Sequence, residues 1–164
     1  MTTPALVARD LRKVYEERMA LAGLDLTIPA GQVVALVGHN GSGKSTFLSV
    51  AAGLLDATDG ELFVSGHEVG SSGARAALSY IPDNPVLYDD LSLLEHLEYV
   101  GRLHGEEAWE AKANSLVARL GLSGREDDLP VTFSRGMRQK TMIAIGMIRP
   151  FRVLLVDEPF VGLD

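Results

Sequence analysis

Apolar and polar positions along the chain change period from one stretch to the next, and those changes outline its elements. Over residues 5–15, Leu6, Val7, Leu11, Val14 and Tyr15 are mixed with charges, which predicts an irregular strand. Residues 20–28 alternate Leu24, Leu26 and Ile28 with polar positions, the period of a half-buried strand. Pro29-Ala30-Gly31 ends it and launches the run Val33-Val34-Ala35-Leu36-Val37, a further predicted strand. The first thirty residues read as antiparallel β structure leading into a parallel-sheet core. Helical character follows over residues 44–55. Asp59-Gly60 between apolar runs predicts a turn, with a strand over 61–65 and loops at Gly66 and 70–73. A short helix over 74–77 and a strand over 78–81, ended by Pro82, complete this half.

Beyond Pro82-Asp83-Asn84-Pro85 the pattern turns helical. Residues 92–105 are periodic at helix spacing, and Ser92 with Glu95 makes a capping box that fixes where the helix begins. Residues 106–120 predict a second helix, stopped by Gly121. A third, over 134–148, has Ser134 as N-cap and Pro150 as its stop. Its second half, from Met142 to Ile148, is apolar on nearly every face and is expected to be buried. Val153-Leu154-Leu155-Val156 is a continuous run, typical of a strand covered on both faces. Residues 85–149 therefore read as a mostly helical insert between two strands of an α/β core.

Composition narrows the classes. A chain of 164 residues with 46% hydrophobic and 23% charged residues suits one globular domain. A net charge of −7 argues against a nucleic-acid surface, which needs a basic stripe. There is no cysteine, hence no disulfide framework and no thiolate ligand or nucleophile, in keeping with a reducing cytosol. Residues 1–11 lack the basic-then-apolar layout of a secretion signal. No apolar stretch approaches the ~18 residues of a membrane span, so work at a membrane would need a partner to hold the chain there.

The densest chemistry lies in Gly38-His39-Asn40-Gly41-Ser42-Gly43-Lys44-Ser45-Thr46, between a predicted strand and a predicted helix. That is the context a phosphate-binding loop requires. The glycines let the backbone curl so that successive N–H groups form an anion nest. The helix start adds partial positive charge and Lys44 a full one. Ser45 is suited to the Mg²⁺ that travels with a nucleoside triphosphate. A second constellation, Asp157-Glu158-Pro159, ends the last predicted strand. Ligands of parallel α/β sheets bind at such strand ends. Beside a triphosphate, one carboxylate would hold Mg²⁺ and the next, Glu158, would orient or deprotonate the attacking water. Alone, the pair would read as a strand ending in solvated acids.

Together these residues resemble the ATP-binding subunits of ABC transporters. GHNGSGKST resembles their Walker A motif and RVLLVDEP their Walker B. Phe133-Ser134-Arg135-Gly136-Met137-Arg138-Gln139 resembles their signature motif, and Val161-Gly162-Leu163-Asp164 is similar to their D-loop. Tyr15 stands where such proteins place an aromatic ring against adenine. The resemblance covers the whole chain, and it is the ordered set that is specific, since many NTPases share Walker A. It implies an α/β P-loop NTPase fold with a parallel-sheet core, an N-terminal antiparallel β subdomain and a helical insert. The core would comprise 1–82 and 150–164, and the helical subdomain 83–149. The implied ligands are ATP and Mg²⁺, with Lys44 and Glu158 catalytic and Ser45, Asp157 and Asp83 on the metal. It further implies a second ATP-binding subunit facing head to tail, so that Ser134, Arg135, Gly136 and Met137 of one copy cover ATP on the other. A capped core helix at Ser134 is compatible with that arrangement. The implied location is cytoplasmic, peripheral on the inner face of the cell membrane through a transmembrane permease subunit.

Departures qualify the resemblance. Asp83 stands where the family commonly has Gln; a carboxylate can ligate Mg²⁺ but cannot donate a hydrogen bond. Arg135 replaces a signature glycine, and either adds positive charge near the phosphates or points outward. Similar SRGM variants in exporter-like subunits lean the reading towards export. The family has further strands past the D-loop and a switch histidine. His39, His67, His96 and His104 all precede Asp157, so none matches it. They lack metal-ligand spacing and read as solvated or variable positions. The chain reads as a fragment of a longer protein. Its leading function is the ATP-hydrolysing motor of a membrane transporter. A soluble non-transport ABC ATPase, or a fragment that binds nucleotide without turnover, are the alternatives. Val86, Leu87, Tyr88 and Leu91 either receive a helix from the membrane subunit or pack within the helical insert.

Overall fold

The computed structural model describes residues 2–158. Pro159 and the D-loop-like stretch 161–164 lie outside the described residues. The chain divides into two compact units, Met1–Ser79 with Phe151–Leu155, and Tyr80–Pro150 with the residues from Val156.

In the first unit β1 (Leu6–Tyr15) and β2 (Arg18–Ile28) form a long antiparallel hairpin. β3 (Asp59–Val64) pairs with the other edge of β1, and β4 (His67–Glu68) with β3, giving the order β2-β1-β3-β4. Leu6, Ala8 and Leu11 of β1 and Leu62 and Val64 of β3 are buried. α1 (Lys44–Ala51) lies against β2 and β3 and buries Phe47, Leu48 and Val50. α2 (Ser72–Ala77) follows, capped by the Ser71 hydroxyl.

β1 is irregular because the register with both neighbours shifts around Asp10, whose φ is +43°. Asp25 accepts the displaced Asp10 N–H at 2.9 Å. This bulge explains the misread Asp59-Gly60. The pair opens β3 instead of turning the chain, and a Cβ on Gly60 would lie 2.3 Å from the Asp10 carbonyl oxygen. The glycine is there for close backbone approach.

Another expectation also changes. Residues 33–37 are not in a strand, and Val33 and Val37 are fully exposed. An apolar run becomes a strand only when a neighbour completes its ladder, and this run pairs in neither sheet of the described residues.

β5 (Leu78–Ile81) and β6 (Val153–Val156) make a separate two-stranded sheet. Arg152 N–H bonds the Ala77 carbonyl at 2.8 Å and Asp157 N–H the Ile81 carbonyl at 2.9 Å. The two bonds advance along both strands in step, so the pair is parallel.

The second unit is built on α3 (Leu93–Leu103), α4 (Trp109–Arg119) and α5 (Arg135–Ile148). Leu93, Leu97, Leu116, Val117, Ala144 and Ile148 form the centre of its core. The Ser92–Glu95 capping box is present in full, and the Asp128 and Glu126 carbonyls accept the Leu93 and Leu94 N–H groups. Gly101 lets α4 approach: a Cβ there would lie 2.7 Å from the Trp109 Cβ. The apolar half of α5 alternates buried and part-buried positions from Met142 to Ile148. Among the described residues no helix is long and apolar enough to cross a membrane.

Candidate phosphate-binding site

The loop ahead of α1 has the form an anion needs. Gly43 is the helix N-cap in the left-handed region, φ 90° and ψ 6°, a conformation that favours glycine. It offers no side-chain cap, and no acidic residue stands in the first turn. Neither a side-chain cap nor a first-turn carboxylate therefore offsets the partial positive charge of this helix start. Ser42 N–H bonds the His39 carbonyl at 3.2 Å, closing the curl, and Gly41 also has positive φ, 82°. Lys44 folds back along the loop, its Nζ donating to the Gly38 and His39 carbonyls at 2.9 and 3.1 Å. Residues 38–42 are exposed, with Gly43, Lys44 and Thr46 part-buried and Ser45 exposed.

The loop rests on β2. A Cβ on Gly43 would lie 2.5 Å from the Ala20 carbonyl oxygen and 3.1 Å from Leu21 Cδ2, so only glycine fits. Tyr15 ends β1 with 44% of its surface exposed. Lys13 Nζ sits 5.3 Å from its ring centroid while donating to the Asp56 carbonyl. The register sets Arg18 opposite Tyr15. Sequence reasoning gave Arg18 no role, yet its Nη2 comes within 3.2 Å of where a Cβ of Gly41 would be. Its closeness follows from the hairpin register and is not part of any phosphate-loop pattern.

The other predicted residues belong to the second unit. Asp157 is 8% exposed and follows β6, while Asp83 follows β5 by way of Pro82. Because β5 and β6 run parallel and Asp157 N–H bonds Ile81, the two acids leave adjacent strand ends. Asp83 accepts from Asn84 Nδ2 at 2.6 Å. Glu158 is exposed and held at φ +43°, an uncommon conformation for a side-chain-bearing residue. At α5 the Ser134 hydroxyl accepts the Met137 N–H at 3.2 Å, so it caps the helix. Arg135 is exposed in the first turn, with Gly136 and Met137 part-buried.

His96 differs from its reading as a solvated or variable position. It is 2% exposed, with Nδ1 2.8 Å from the Ser92 carbonyl and Nε2 accepting the Tyr88 N–H at 3.0 Å. The carbonyl partner requires the proton on Nδ1, which leaves Nε2 as acceptor. Tyr88 stacks on this ring and meets Tyr99 edge-on. The aromatic stretch was visible in the sequence; the imidazole beneath it was not. Among the described residues no cluster of three or more His, Asp and Glu side chains is arranged to hold a metal ion.

Residues 21–161 match the family described as ABC transporter. The chain is 35% identical over 163 residues to the ABC-type transporter ATP-binding protein EcsA of Bacillus subtilis (strain 168), covering 97% of this chain and 66% of that protein. To the phospholipid-transporting ATPase ABCA3 of Rattus norvegicus it is 32% identical over 164 residues, 95% of this chain and 10% of that one. A solved structure titled as an ATP binding subunit of an ABC transporter superposes with a TM-score of 0.90 at 34% identity, covering 98% of this chain and 68% of that one. The chain thus spans just under two thirds of EcsA and about a tenth of ABCA3.

Proposed function

The chain belongs to the ABC transporter family, and from that premise we propose that it binds and hydrolyses ATP to power a membrane transporter. The observation that carries this is the junction at Gly43, where an exposed glycine loop runs into an uncapped helix start and Lys44 folds along it. In this reading residues 38–46 hold the phosphates and Lys44 stabilises transferred charge. The exposed Tyr15 ring stacks on adenine. Ser45, Asp157 and Asp83 offer a hydroxyl and carboxylates, the hard oxygens Mg²⁺ takes; the ion would neutralise charge on the phosphoryl group. Glu158 is the general base, its exposed carboxylate available to a water.

The partners follow from the same reading. A second ATP-binding subunit presents Ser134, Arg135, Gly136 and Met137 to the nucleotide, residues at the N-terminus of α5 where N–H groups favour an anion. Residues 83–149 act as the helical subdomain. Val86 and Tyr88, both exposed, receive a helix of a transmembrane permease subunit, which holds the chain at the inner face of the membrane. Export is the favoured direction, on the Arg135 variant of the signature.

Steady-state phosphate release tests turnover. MgATP-dependent release that falls by about a hundredfold or more in Glu158→Gln, with binding retained, is expected. Release unaffected by that change would contradict the catalytic assignment. Binding without release in the parent chain would restrict it to nucleotide binding. A multi-span membrane protein should co-purify with the parent chain and not with Tyr88→Asp. Equal recovery with both would remove this surface.

A further inference from the structure

We propose that Arg18 is a second cationic ligand for the polyphosphate of the bound nucleotide, reaching over the loop from β2. The assignment rests on reading the loop as a nucleotide site and adds a residue that the phosphate-loop pattern does not contain. Three observations converge on it. Arg18 and Ala20 lie two apart on β2, and so on one face of the strand. Ala20 is the residue whose carbonyl sits under Gly43, so β2 runs against the loop at this point. The Arg18 guanidinium then extends to Gly41, whose missing side chain leaves it room.

Electrostatics says what belongs there. The loop amides, the uncapped α1 start and Lys44 are all positive. A guanidinium beside them is repelled, and Arg18 has no ion-pair partner among the described residues. Glu16 and Glu17 adjoin it in sequence, but neither is paired with it. An anion arriving on the loop turns that repulsion into attraction on both sides. The planar fork of donors matches phosphate oxygens, in contrast to the point charge of Lys44. Tyr15 stands opposite Arg18 in the register, so one hairpin end carries both a ring for the base and a cation for the phosphates.

Isothermal titration of the intact chain with MgATP, MgADP and adenosine, for the parent, Arg18→Ala, Arg18→Lys and Lys44→Ala, tests this. Arg18 is exposed, so the substitutions leave the fold intact, as circular dichroism would verify. The expected result is an about tenfold rise in Kd for MgATP and MgADP in Arg18→Ala, a smaller rise in Arg18→Lys, and unchanged adenosine binding. Unchanged MgATP affinity in Arg18→Ala, with loss in Lys44→Ala, would overturn the Arg18 assignment and leave the nucleotide site standing. An equal loss of adenosine binding would overturn it too, since Arg18 would then serve the base. No heat with MgATP from the parent chain would overturn both.

Discussion

At Gly43 a single missing side chain decides whether the loop can rest on β2. Its φ of 90° alone costs an L-residue roughly 1–2 kcal/mol, and a Cβ would strike the Ala20 carbonyl at 2.5 Å. Gly43→Ala is therefore expected to lower the urea midpoint and to weaken MgATP binding together. A variant with parent stability would contradict this packing. The glycine spacing was legible in the sequence because a tight curl into a helix start demands residues that tolerate positive φ. Arg18 was not, since its approach to Gly41 depends on the hairpin register and on the contact of the loop with β2. His96 was misread for a related reason: its role is fixed by the Tyr88 amide, which stands eight residues earlier in the chain.

Among the elements, α3 shows how local chemistry fixes an end. Ser92 and Glu95 satisfy each other's backbone N–H groups, at 2.7 Å for the Glu95 carboxylate and 3.3 Å for the Ser92 hydroxyl. Ser92→Ala is expected to cost about 1 kcal/mol of stability, read as a shift in urea midpoint. The Ser92 backbone N–H, and then its hydroxyl, hold the Glu95 carboxyl below its ordinary value. A depressed carboxyl contributes stability that is present above its unfolded pKa and lost as pH falls through the folded one. Glu95→Gln should therefore flatten the acid limb of stability against pH, and an unchanged limb would contradict the box. His96 pins the segment leading into this helix. His96→Leu should speed hydrogen exchange at the Tyr88 amide at least about tenfold while α3 amides stay protected. Helix starts at Ser92 and Ser134 were readable because capping is a short-range affair. The Asp59-Gly60 turn was not, because the bulge in β1 that makes use of the glycine lies far away in sequence.

For the molecule as a whole, the antiparallel sheet, the helical unit and the parallel β5–β6 pair follow the hydrophobic periods closely. The run Val33–Val37 shows the limit of that reading. Five apolar residues announce a strand, but pairing is a property of neighbours, and here the run is exposed. An exposed run of apolar side chains invites association, so Val33→Lys should reduce light scattering of the concentrated chain; no change would show that this run does not drive association. The central claim remains chemical: the Gly43 junction with Lys44 holds a triphosphate. Titration of MgATP into the parent chain and into Lys44→Ala addresses it most directly. Saturable heat from the parent at one nucleotide per chain, abolished in the variant, is the predicted result, and equal heats from the two, or none from the parent, would contradict it.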